Sequence, residues 1–112
     1  MNTTELELSA MQSGAAAACR LMKVLANSDR LLILCQLSQG EKRVGELEEI
    51  LNIVQPTLSQ QLTVLREEGL VETRREGKSI FYKLTSPQAL AVMQVLYQNF
   101  CGAASNDDEE TP

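Results

Sequence analysis

Cys35, inside "LLILCQL" at residues 31–37, and Cys101, closing "LYQNFC" at 96–101, are the side chains of this sequence best suited to reversible chemistry. A thiolate can be oxidised, persulfidated or captured by a soft metal, and two neighbouring thiols can be bridged. Each position also has a plain packing role, because unpaired cysteine is among the most buried residue types, and "LLILCQL" on its face is packing. Cys101 stands beside Gly102 and a polar stretch, where packing is thin and a small oxidant has access. Cys19, behind four alanines, reads as a small packing residue. Three cysteines at irregular spacing make no disulfide scaffold. The lack of histidine removes Cys-His and Ser-His-Asp catalysis and most transition-metal sites, so no enzyme, cofactor or resident metal is expected.

A second chemistry-bearing set is "QPTLSQQLT" at 55–63. Gln55, Thr57, Ser59, Gln60, Gln61 and Thr63 offer amides and hydroxyls opposite Leu58, Leu62 and Leu65. A glutamine amide pairs bidentately with adenine, and hydroxyls serve bases or phosphates, although a polar exposed face is also the ordinary surface of a helix. Downstream, Arg74, Arg75 and Lys78 cluster around "REGK". The net charge of -5 is hostile to a polyanion, but four acids, Asp107, Asp108, Glu109 and Glu110, sit at the end of the chain. Between Val54 and Leu84 five basic residues stand against four acidic ones, with the positive charge weighted to the second half. Local placement, not the total, is what a phosphate meets.

The elements that carry these residues follow from periodicity and punctuation. Leu6, Leu8, Met11, Ala15, Ala18, Met22 and Leu25 predict a long first helix over 4–25 whose apolar stripe seeks a partner. Ser28 as N-cap opens a second, central helix over 29–38 that ends near Gly40. Val44, Leu47, Ile50 and Leu51 mark a short third helix, and Asn52 a turn. Pro56 belongs in the first turn of a fourth helix that Gly69 stops. "LVETRREGKSIFYKL" reads as a hairpin with Gly77 at positive φ, and Ser86-Pro87 opens a last helix to about Cys101.

At 112 residues, 44% hydrophobic and 22% charged, the chain is expected to form one domain over 1–105 followed by an acidic disordered tail over 106–112. No apolar run approaches the roughly 20 residues of a membrane span, and two glutamates precede the first basic residue, Arg20, so a cytoplasmic protein with no membrane partner is expected. Two short helices joined by a tight turn, with a polar face on the second and a basic hairpin after it, are the parts of a winged helix-turn-helix reader of double-stranded DNA.

"LANSDRLLILCQL", "VGELEEILNIVQPTLSQQLTVLREEGLV" and "RREGKSIFYKL" resemble the ArsR family of dimeric winged-helix repressors over about residues 15–101. The resemblance implies a mainly α fold with a β-hairpin wing in the order α-α-α-α-β-β-α, a homodimer formed by the first and last helices, and operator binding through the helix matching Gln55–Glu68. Two positions depart from the family pattern: Val54 stands where a small polar cap is common, and Gln61 where histidine is frequent. The operator sequence is therefore not carried over. The family's metal sites, a cysteine pair in the third helix or an Asp/His/Glu set in the last, have no counterpart in "RVGELEEIL" or "SPQALAVMQVLYQNFC". The placement of Cys35 and Cys101 instead resembles the family's persulfide- and redox-sensing dithiol subgroup (the SqrR, BigR and HlyU type). That resemblance implies a sensing dithiol, with reactive sulfur species or oxidants as inducer. Two alternatives stand beside it: a soft-metal, arsenite-type sensor of the same fold, with a third ligand from Cys19 or elsewhere, and a winged-helix protein-interaction module.

Overall fold

The computed structural model describes residues 3–102, with side chains from Glu7 to Cys101. The side chain of Leu6 and the acidic stretch 106–112 lie outside the described residues. Five helices and a small sheet follow one another as α1 (Thr3–Leu25), α2 (Ser28–Leu37), β1 (Lys42–Arg43), α3 (Val44–Leu51), α4 (Gln55–Glu67), β2 (Val71–Glu76), β3 (Ser79–Leu84) and α5 (Pro87–Tyr97), extended by a π-helical turn over Gln98–Gly102.

The punctuation acts as its chemistry requires. Asn27, not Ser28, caps α2: its side chain accepts the Arg30 N–H at 3.0 Å, so the helix starts one residue before Asp29. An asparagine oxygen reaches the third helical amide as well as a serine does. Asn52 ends α3 in the left-handed region at φ 56, a conformation asparagine tolerates better than most residues. Pro56 lies in the first turn of α4, and Gly69, at φ 79, closes it. The Ser86 side chain accepts the Ala89 N–H at 3.1 Å and starts α5.

The hairpin is larger than its own two strands. β2 and β3 pair antiparallel in the register Val71↔Leu84 to Glu76↔Ser79, leaving Gly77-Lys78 as a two-residue turn. Gly77 takes φ 63 there. The two-residue β1 adds a third strand, pairing Lys42↔Tyr82 and Arg43↔Phe81, so the sheet order is β1-β3-β2. A two-residue strand has no periodicity to announce it; it exists because β3 offers it an edge.

Ile33 and Leu34 of α2, Leu47 of α3, and Leu58, Leu62 and Leu65 of α4 are completely buried, and Leu70, Val71, Ala89 and Met93 close the core around them. No polar side chain is buried among the described residues. The second helix is less central than its composition implies, since Leu32 stays 47% exposed and Cys35 half-buried. Only the end of α1 joins the core, through Val24 and Leu25. Leu8, Met11, Ala15, Ala18 and Met22 of its anticipated stripe are exposed. No helix among the described residues is long and apolar enough to cross a membrane.

Candidate nucleic-acid interface and thiol pair

The polar residues of α4 do not share one face. Gln55, Ser59 and Thr63 recur every four residues and therefore line one flank of the helix. That flank and the wing form the walls of a groove of about 420 Å³, with Lys78 and Ser79 at the wing tip and Arg43 at its other end. The Thr63 hydroxyl donates to the Ser59 carbonyl at 2.9 Å, which leaves the hydroxyl's lone pairs as acceptors. Gln60 points outward and is exposed. Thr57 and Gln61 lie half-buried on the opposite flank. The Gln61 carbonyl oxygen accepts a hydrogen bond from Arg30 Nη1 at 2.8 Å, so Gln61 is not brought together with the groove residues. At 3.6 residues per turn, positions 57 and 61 cannot face the same way as 55, 59 and 63.

Val54 precedes α4 with extended backbone and makes no capping hydrogen bond through its side chain. Its 67% exposure puts an apolar group at the mouth of the helix.

The three basic wing residues also separate. Arg74 lies across from Phe81 in the ladder, with its guanidinium carbon 4.4 Å from the ring centroid, and its Nε donates to Glu41 at 2.9 Å. A further contact reaches Glu76 at 3.7 Å. The Arg74 hydrogen bond holds the Glu41 carboxyl below its usual range. Arg74 thus braces the root of the wing. Arg75, on the other face of β2, and Lys78, at the tip, are exposed and form no ion pair among the described residues.

All three cysteines are thiols. Cys19 is exposed on α1, not packed as its neighbours suggest. Cys35 is half-buried where α2 packs on α5, and Cys101 is exposed in the π-helical turn that prolongs α5. Burial pushes the Cys35 thiol above its ordinary value, and the negative charge of an ionised Cys101 pushes it the same way. The last helix is not regular up to Cys101, as its sequence suggests. The α geometry stops at Tyr97, and the wider turn re-aims the residues that follow.

Arg30 is a residue the sequence reading passed over. Its side chain donates to the Val24 and Lys23 carbonyls at the end of α1 and to Gln61 of α4. One signal was available: a cation in the first turn of a helix opposes the helix dipole, so its charge is used elsewhere.

Residues 27–73 match the description of a bacterial regulatory protein of the arsR family. The chain is 51% identical over 102 residues to a biofilm growth-associated repressor of Agrobacterium fabrum, covering 91% of this chain and 87% of that one. It is 42% identical over 98 residues to the transcriptional activator HlyU of Vibrio cholerae, covering 88% and 91% respectively. Among solved structures, the transcriptional repressor BigR of Xylella fastidiosa superposes with a TM-score of 0.79 at 49% identity, over 83% of this chain and 95% of that one. Reduced HlyU of Vibrio cholerae gives 0.78 at 43% identity, over 81% and 96%.

Proposed function

The chain belongs to the arsR family of bacterial regulatory proteins, and on that premise we propose that it is a homodimeric, cytoplasmic repressor whose hold on operator DNA falls when Cys35 and Cys101 of one subunit are linked by reactive sulfur species or an oxidant. The chain is a DNA-binding regulator, not an enzyme, as its relatives are. The repressor assignment follows the named function of the relative with which it shares 51% identity.

In this reading α4 enters the major groove and reads bases with Gln55, Ser59, Gln60 and Thr63, while Arg75 and Lys78 of the wing hold backbone phosphates. Thr57 reaches phosphate from the other flank. Arg74 and Gln61 support these elements from behind through Glu41, Phe81 and Arg30. The dimer forms through α1 and α5, where Leu8, Met11, Val95, Tyr97 and Phe100 leave apolar surface exposed.

What supports the sensing half is placement: Cys35 is half-buried where α2 packs on α5, and Cys101 is exposed in the π-helical turn that prolongs α5. Exposed Cys101 is the more accessible thiol and reacts first; half-buried Cys35, whose thiol burial pushes up, follows. The Cys101 thiolate takes the outer sulfur of a persulfide and releases a thiol. Cys35 takes up sulfur in the same way, and the terminal sulfur of its persulfide attacks the inner sulfur of the Cys101 persulfide, closing a trisulfide bridge and releasing hydrogen sulfide. One further sulfur transfer before closure gives the tetrasulfide. A direct disulfide needs Cα atoms within about 7 Å, whereas packed helix axes lie about 8–10 Å apart. One or two extra sulfur atoms in the bridge relieve that mismatch, which favours persulfides over peroxide. The bridge changes how α5 sits on α2 and so shifts two recognition helices that must stand about one DNA turn apart. A soft-metal sensor needs a third converging donor, and among the described residues no group of three Cys, Asp or Glu is so arranged.

Intact mass spectrometry after separate persulfide, peroxide and disulfide treatment tests the reading. It expects an intrasubunit product with about 32 Da or 64 Da of added sulfur, less two hydrogens, from persulfide alone. Arsenite bound stoichiometrically without any oxidant would favour the metal alternative.

A further inference from the structure

The end of α1 and the recognition helix are joined by one side chain. In α1 the Lys23 carbonyl would ordinarily accept from the Asn27 N–H, but that group donates to Leu25 O at 2.8 Å. Arg30 Nη2 reaches Lys23 O at 3.4 Å and Nε donates to Val24 O, so the guanidinium closes the C-terminus of α1 with a cation at the negative end of its dipole. The same planar group donates through Nη1 to Gln61 of α4 at 2.8 Å. Its backbone is fixed in turn, since its N–H donates to the Asn27 cap. Most of α1 is exposed and only Val24 and Leu25 sink into the core, so the join at Arg30 lies where the projecting helix meets the DNA-reading body.

We propose that Arg30 is a positioning residue for operator recognition: it locks the end of α1 to α4 through Gln61, so that the seating of α1 in the dimer fixes the separation of the two recognition helices. The inference rests on the dimeric DNA-binding reading above. It assigns Gln61 the role of receiver for Arg30 rather than reader of a base. Lysine cannot take the place of Arg30, because a single ammonium lacks the fixed fork that reaches two helices at once.

The test uses the full chain and a duplex that the wild-type protein selects from a random pool. Affinity is measured on that duplex and on versions with one base pair added or removed between half-sites, which turns one half-site by about 35°. The wild type is expected to lose about tenfold or more on the altered spacings. Arg30→Gln and Gln61→Leu should each lose only about threefold or less, and the double variant no less than either single one. Gln61→Glu keeps an acceptor for Arg30 and should retain the wild-type spacing ratio even if its absolute affinity falls. Circular dichroism identifies a variant that fails to fold; Gln61→Leu alters only a half-buried position and carries the test if Arg30→Gln is lost. Wild-type spacing ratios in the folded Leu and Gln variants, or a Glu variant that behaves like Leu, would overturn the inference. A wild-type protein that enriches no duplex contradicts the DNA-binding reading itself, and the inference with it.

Discussion

The body between Val24 and Met93 and the two terminal helices obey different rules. In the body, α2, α3, α4 and the root of the hairpin bury six large side chains completely and leave no polar side chain stranded. In the terminal helices, every described side chain from Glu7 to Arg20 is exposed, and Val95, Tyr97 and Phe100 are open at the other end. The body is closed as one chain; the ends leave apolar surface open, which the proposed dimer would cover. Cys35 belongs to the first region and Cys101 to the second, so the proposed bond would tie the body to the terminal helices.

The sharpest break of this contrast is inside the body. Leu62→Ala should cost about 2–5 kcal/mol in urea unfolding, whatever the protein concentration, because a fully buried leucine leaves a cavity. Phe100→Asp, at 73% exposure, should leave the body folded but convert a two-chain species into a one-chain species in sedimentation at micromolar concentration, with operator affinity falling as a consequence. A wild-type monomer under those conditions would remove the distinction altogether. Gln60→Ala should reduce discrimination between selected and unrelated duplexes by about 1–3 kcal/mol. Arg75→Ala and Lys78→Ala should instead weaken all sequences alike and lower the salt slope by about one each.

The smallest effect is a pH dependence. Because burial and the charge of Cys101 both raise the Cys35 pKa, iodoacetamide should modify Cys35 more slowly than Cys101 at neutral pH, the gap closing as pH rises through the raised value. Cys101→Ser removes one of the two causes and should move the rise of Cys35 reactivity to lower pH. The sign for stability follows. The unfolded chain loses the Cys35 proton first, so this contribution is fully present below the unfolded value and fades as pH rises towards the folded one.

Much of the body was legible because its signals are local. Pro56, Gly69, Gly77 and the Ser86-Pro87 pair each impose a backbone geometry wherever they occur, and Leu58, Leu62 and Leu65 declare a buried face by spacing alone. What was not legible depends on partners distant in sequence. β1 exists because β3 lies beside it, and Arg74 is drawn to Glu41, which is 33 residues away. Gln61 is held by Arg30 at a separation of 31, so a row of polar residues that looks uniform in sequence divides into two flanks with different surroundings. The proposed pairing of the thiols, 66 residues apart, is implied by the family resemblance; no pattern within either segment encodes it.

If bridging Cys35 to Cys101 loosens the hold on DNA, the change is read most directly in operator affinity before and after persulfide treatment of the wild type, Cys35→Ser, Cys101→Ser and Cys19→Ser. Treatment should weaken binding by the wild type and by Cys19→Ser, about tenfold or more, while Cys35→Ser and Cys101→Ser should remain bound whether treated or not. Full loss of binding on treatment of Cys101→Ser would contradict that expectation and return Cys35 to the packing role that "LLILCQL" suggests by itself.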